Sequence, residues 1–435
     1  MLNSFSCFPN YQNPFLSPNI PLKKVTITNE TSLSDLLKDT SIVQIYRTNC
    51  ILLNNFFIAH VEELMMAAFK DDDSVTTTSA YRILSIPYYY LISALITKAH
   101  FGNYATNLLN QTNISDRLIN RICTITRSIF CCCDINSCKV CNYLAVIFNY
   151  SYSSSVFDLF ATVFSIKDEI ESIQNWMIDN GIIEFIEHKI KLLLNTSKIE
   201  GFSKEFEALI NLFRLLSIIF KNIPKSTEKS KLYTLFDKLP TNLPNLLYNF
   251  IWETLNAVFS KNNFLKLIKF TNEARDILIS PTKHIYRYHS ESVSFLTKYV
   301  NFRSDLIDTE LIKSILGLFL QFSHCSFFMT EAQRFFIEAS RVDVLLCRIV
   351  KYVVPVLIVE ATMTDHNLVP YFSFSILENL MKISSAKEII LNLDNGKEFI
   401  EEILPAYIKK RDSGYGGISN SNSLWSILSS PLSIF

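Results

Sequence analysis

Apolar side chains recur three and four positions apart along most of this chain, in stretches of roughly ten to twenty residues, and that spacing predicts α-helices with one buried face. The clearest run is Phe202 to Phe220, where Phe202, Phe206, Leu209, Phe213, Leu216 and Phe220 form the apolar series and Lys204, Glu205, Asn211 and Arg214 fall elsewhere. A second run starts at Ser165. Ser165 and Asp168 stand as a capping-box-like pair, Ile166, Ile170, Ile173 and Met177 make the stripe, and Gly181 supplies a left-handed stop before a new helix restarts at Ile182. Short polar breaks punctuate these runs, among them Asp71 to Thr78, Asn222 to Ser230, Pro240 to Asn245 and Thr364 to Pro370. Strand-like alternation over several segments is absent.

This pattern predicts an all-α fold, an α-solenoid of stacked helical pairs of the armadillo/HEAT-like kind, extending as a single domain over residues 31–410. No break is long enough to read as a domain linker. Because no repeated signature of fixed period accompanies the helices, a compact multi-helix bundle stays open as the other architecture. Residues 1–30 read as a polar, proline-containing, partly disordered leader. Residues 411–435, rich in Gly, Ser and Asn near their start, read as a flexible tail.

Composition narrows the functional classes. Lys plus Arg and Asp plus Glu are both 41 of 435 residues, so no whole-molecule field favours nucleic acid or an anionic membrane. Only 8 glycines stand against 49% apolar residues, which suits packed helices better than glycine-lined phosphate cradles. A mean hydropathy of +0.20 raises the question of a membrane protein. The longest apolar runs, Tyr352 to Val359 and Ile86 to Ile96, are too short to span hydrocarbon, and both read as buried helix. No charged side chain precedes Lys23 and no continuous apolar core follows, so the expected address is cytosolic or nuclear, with the ten cysteines as thiols.

The densest chemical cluster is Cys131, Cys132, Cys133, Cys138 and Cys141, of which Cys133, Cys138 and Cys141 are the candidate ligands for a structural zinc. Against that reading, the Cys138–Cys141 pair lies in a helical pattern, adjacent cysteines do not readily face one ion, and no histidine is near. Small buried apolar residues are the alternative, and no metal is expected. The seven histidines are scattered, and nothing has the form of a phosphate-binding loop, a dinucleotide fingerprint or a nucleophile elbow. Asp71, Asp72 and Asp73 read as a solvated linker, having no glycine-turned calcium loop around them. With no catalytic constellation and no cofactor motif, a non-enzymatic protein that binds another folded protein is the expectation.

Two stretches carry a family resemblance. Thr31 to Asn49, followed by an apolar helix over Leu52 to Phe57 and by Val61-Glu-Glu-Leu-Met65, is similar to the opening helix pair of the SAPS family, whose pattern runs T-L-x-E-L-L-D-x-D-D-x-L-Q-E-x-K-x-x-N. Leu33, Leu36, Leu37, Gln44, Arg47 and Asn49 fall in register. Asn175 to Ile186 resembles that family's N-W-L-x-x-x-x-I-I-x-x-L element, through Asn175, Trp176, Ile182 and Ile183. The departures are a family acidic run reduced to Asp39, Ile45 where the family has Glu, and a cysteine cluster without counterpart. The match covers residues 31–190, as in a divergent and shortened member.

The resemblance implies a regulatory subunit that associates with a serine/threonine phosphatase catalytic subunit of the type-2A-related, phosphatase-six class and directs it to substrates. Leu33, Leu36 and Leu37 are then core, and Trp176 is a large buried anchor. Gln44, Arg47, Asn49, Asp179 and Asn180 are the candidate partner contacts, or else side chains that satisfy the turns between helices. An α-solenoid adaptor of another class, such as a transport or coat scaffold, shares every compositional feature, and a zinc-binding protein built on the cysteines is the third reading.

Overall fold

The computed structural model describes residue 27 and residues 31–412, apart from 49, 133–142, 167–169, 196–198, 200, 236–242, 363–367 and 394. Asn49, the cysteines Cys133, Cys138 and Cys141, and nearly all of the leader and tail therefore lie outside the described residues. Those that are described fold into helices joined by turns, with no strand among them. The chain divides into two compact units, Met1–Asn262 and Asn263–Phe435.

In the first unit, neighbouring helices pack in pairs. Val61–Ala68 lies on Val75–Leu84, and Ile51–Ala59 on Tyr89–Thr97; Ser154–Ser165 lies between Asp116–Cys132 and Lys204–Asn222, which in turn packs on Asn245–Val258. The second unit repeats the mode: Arg287–Tyr299 packs on both Lys269–Ile279 and Ser326–Ala339, and the latter meets Val369–Leu380. Each unit is thus all-α and solenoid-like, because a helix with one apolar stripe buries it only against its neighbours.

Local chemistry explains the ends of these helices. Ser32, Ser74, Ser203 and Asp308 each accept a hydrogen bond from the backbone N–H three residues on, satisfying one of the orphan donors of a first turn. Gly181 has φ +84°, the left-handed conformation a side chain resists, and the helix Ile182–Asn195 restarts after it as the sequence predicts.

Two boundaries differ from the sequence reading. Ser165 is the last residue of Ser154–Ser165 and so does not cap a following helix, its proposed partner Asp168 lies outside the described residues, and the next described helix is Glu171–Asp179. Gln174 of the second helix donates its buried Nε2 to Val163 O and Ile166 O at 2.7 Å each, satisfying carbonyls that the end of the first helix leaves open. Phe202 precedes its helix, with φ +70° and 94% exposure, so Ser203 caps a helix whose buried face starts at Phe206.

Buried polar side chains elsewhere do the same work as Gln174. Asn211 Nδ2 donates to Ser151 O at 2.9 Å, and Thr254 Oγ1 to Phe213 O at 2.9 Å. Glu187 accepts from Ser230 Oγ at 2.6 Å and from Lys231 N through both carboxylate oxygens. Asn211 and Glu187 thus serve groups of irregular connections, while Thr254 ties its helix to the neighbouring helix Lys204–Asn222.

Candidate protein-contact surface

The helix Ile42–Arg47 ends against the turn that precedes Tyr89–Thr97. Tyr88 Oη donates to Tyr46 O at 3.2 Å and to Arg47 O at 3.1 Å, filling carbonyls that the helix terminus leaves open. Tyr46 is fully buried. Its ring stands edge-on to Phe57 at 5.1 Å and to Tyr88 at 5.0 Å, and its hydroxyl donates to Asn54 Oδ1 at 3.2 Å. Desolvation drives that phenol well above its ordinary pKa, so Tyr46 is a neutral structural post.

This aromatic post supports an exposed rim. Ile51 and Leu52 open the helix Ile51–Ala59 at 72% and 65% exposure, and Tyr89 and Tyr90 open the facing helix at 58% and 64%. The rings of Tyr89 and Tyr90 meet edge-on at 5.5 Å. Adjacent apolar side chains held in the open on rigid backing are the feature that marks a contact surface, in contrast to scattered single exposures.

Gln44 and Arg47 are both exposed on this rim, and among the described residues neither side chain makes a hydrogen bond or ion pair. The other two sequence candidates are occupied locally. Asp179 pairs with Lys229 Nζ at 2.7 Å, and Asn180 Nδ2 donates to Trp176 O at 2.7 Å, closing its own helix end. Both also lie in a different part of the unit's helical order. Leu33, Leu36 and Leu37 are buried core, as the sequence predicts.

Trp176 is only half-buried, contrary to its reading as a buried anchor. It lines a recess of about 150 Å³ with Phe148, Phe160, Ile182 and Phe185, and the Phe148 and Phe160 rings stack at 4.5 Å within that wall. The indole is left on the rim because Ile173, Met177 and Ile178 take the buried stripe of the helix Glu171–Asp179.

The Asp71–Asp73 loop is more than a solvated linker. Arg117 reaches Asp73 at 2.7 Å and Asp71 at 3.6 Å, and Ser115 Oγ donates to Asp71 at 2.8 Å. Buried Arg121 donates to Ala68 O at 3.2 Å, Lys70 O at 2.5 Å and Asp72 O at 2.9 Å. Thr77 and Ser74 hydrogen bonds hold the Asp72 carboxyl below its usual range, so the loop is a charged clasp between two helices. Among the described residues no group of three His, Cys, Asp or Glu side chains converges as a metal set.

The sequence reading did not single out Ile51, Tyr89 and Tyr90, which the structure leaves exposed. A signal was present: residues 40–61 and 74–115 contain no Asp or Glu, and Tyr88, Tyr89 and Tyr90 are consecutive. Helical spacing gives only which residues share a face, and it does not say that a helix start stands free of its neighbours.

No family model and no curated protein matches the sequence. Among solved structures, an engineered protein determined by crystallography is similar to this chain with a TM-score of 0.42 and 18% identity, over 76% of this chain and 81% of that one. A likeness at this level carries no argument about function.

Proposed function

We propose that this chain is a non-catalytic regulatory subunit that binds a serine/threonine phosphatase catalytic subunit of the type-2A-related class and brings it to its substrates. The observation that carries the reading is the rim on which Gln44 and Arg47, two residues of the SAPS-like stretch, stand beside exposed Ile51, Leu52, Tyr89 and Tyr90. Apolar and aromatic anchors bordered by groups able to hydrogen-bond are what a folded partner engages. The mechanism is proximity. A tethered enzyme meets substrate at an effective concentration of about millimolar with a short linkage, and no bond is made or broken by the tether itself.

Copurification tests the reading. Tagged full-length chain at native expression is expected to recover a phosphatase catalytic subunit in stoichiometric amount. Recovery of transport or coat components without any phosphatase subunit would instead assign the chain to another adaptor class.

A further inference from the structure

The helix Asp116–Cys132 runs from the clasp to the contact rim, and its arginines divide between the two. Arg117 and Arg121 serve the Asp71–Asp73 loop near its start. Arg127 lies toward its other end, one position before Ser128, whose hydroxyl donates to Ser85 O at 2.7 Å. Ser85 closes the helix Val75–Leu84, which carries Arg82 in its last turn, and the chain then passes through Pro87 to Tyr88, the residue bound to Arg47 O. The turn from Ser85 to Tyr90 is therefore gripped by the Arg47 end on one side and the Arg127 helix on the other.

Arg47, Arg82 and Arg127 are all exposed, and among the described residues none of the three has an ion pair or side-chain hydrogen bond. Residues 40–61, 74–115 and 117–133 contain no Asp or Glu, and among the described residues no Asp or Glu forms an ion pair with any of the three. In a chain of zero net charge, three arginines without an ion pair thus sit in acid-free stretches of sequence that also carry the exposed apolar side chains.

We infer that the Ser85–Tyr90 turn, with Arg47, Arg82 and Arg127 around it and Ile51, Leu52, Tyr89 and Tyr90 exposed at its edge, is a docking site for a partner protein segment that carries apolar anchors flanked by Asp and Glu. The charge pattern selects the occupant. Guanidinium groups without internal partners are open to bidentate carboxylate bonds, and exposed Tyr, Ile and Leu take apolar side chains that a purely anionic ligand would lack. The inference rests on the reading of the chain as a protein-binding subunit and adds the chemistry of the segment it grips.

The test uses the full chain and a short fluorescein-labelled peptide that alternates Asp–Glu pairs with Leu and Phe, followed by fluorescence anisotropy at low and high salt. Saturable binding that weakens with salt is expected, and R47E/R82E/R127E is expected to weaken it about tenfold or more. A companion peptide with Lys in place of the acids is expected to bind the reversed variant and not the native chain. If the triple reversal does not fold, the single R47Q, R82Q and R127Q variants read the same effect in smaller steps, and I51S/Y89S reads the apolar contribution.

Equal binding of a peptide with Asn and Gln in place of the acids, or an unchanged affinity in the reversed variants, overturns the inference. So does binding to phosphatidylserine vesicles without binding to the peptide, which would make the rim a lipid contact. Peptide binding that survives when no phosphatase subunit copurifies would end the proposed function and leave the acidic site standing. Phosphatase recovered while the acidic peptide is ignored would do the reverse.

Discussion

The two ends of the helix Asp116–Cys132 use the same side chain in opposite ways. At the clasp, Arg121 is buried with its guanidinium donating to three carbonyls, and Arg117 is paired with acids. At the rim, Arg127 stands exposed, as do Arg82 and Arg47, and among the described residues none of the three forms an ion pair. An arginine that is desolvated and hydrogen-bonded to backbone carbonyls has become part of the fold, whereas one left in water contributes little to stability and stays available to a partner. Residue type alone does not tell the two apart.

That contrast breaks most sharply on R121M. Removing the guanidinium leaves the buried Ala68 carbonyl and the half-buried Lys70 and Asp72 carbonyls without their donor, and a loss of about 3 kcal/mol in urea unfolding is expected, because hydrogen bonds to a charged group are costly to leave unmade. If R121M unfolds at the native urea midpoint, the clasp is not structural.

Titration of His289 extends the same logic to the second unit. His289 is buried, stacked on Tyr288 at 4.3 Å, and its Nδ1 accepts from Tyr286 N at 3.1 Å; burial lowers its pKa to about 4. The unfolded chain then binds the extra proton between about pH 6.5 and about 4, so stability present above that window falls as the solution is acidified through it, by about 3 kcal/mol. Unfolding of the native chain and H289Q across this range checks it, the variant being expected to show the flatter profile.

Glu187 has the opposite sign. Burial raises its carboxyl pKa despite the Ser230 and Lys231 hydrogen bonds, so the folded chain holds the proton to higher pH, and this site's contribution falls as pH rises through the raised value. E187Q is expected to flatten that part of the profile. E187A leaves Ser230 and the Lys231 N–H without their acceptor and is expected to destabilise by about 1–3 kcal/mol at any pH.

The smallest effect belongs to the rim. R47Q, R82Q and R127Q are each expected to stay within about 0.5 kcal/mol of the native stability, since exposed charges away from any network rarely move it further. A larger change at any of them would place that arginine with Arg121, inside the fold.

Much of the architecture was legible in advance. Leu33, Leu36 and Leu37 are core, Gly181 ends its helix, and the periodic stretches are helical, because burial of an apolar stripe is a local property of spacing. The candidate contacts were legible only in part. Gln44 and Arg47 stand on the rim, but Asp179 and Asn180 are taken up by Lys229 and by the end of their own helix. Phe202 and Trp176 are the apolar positions that periodicity places wrongly: Phe202 precedes the start of its helix in a left-handed conformation, and Trp176 stands at the edge of a stripe filled by Ile173, Met177 and Ile178.

By itself, then, the amino-acid order determined that this is a helical protein, roughly where its helices stop, and that long stretches near its start are free of acids, since all of these depend on residues close together along the chain. Only the tertiary structure decided which arginines are locked and which are bare. That choice depends on whether carbonyls and carboxylates from segments some fifty residues away, such as Lys70 and Asp72 for Arg121, are brought within hydrogen-bonding reach.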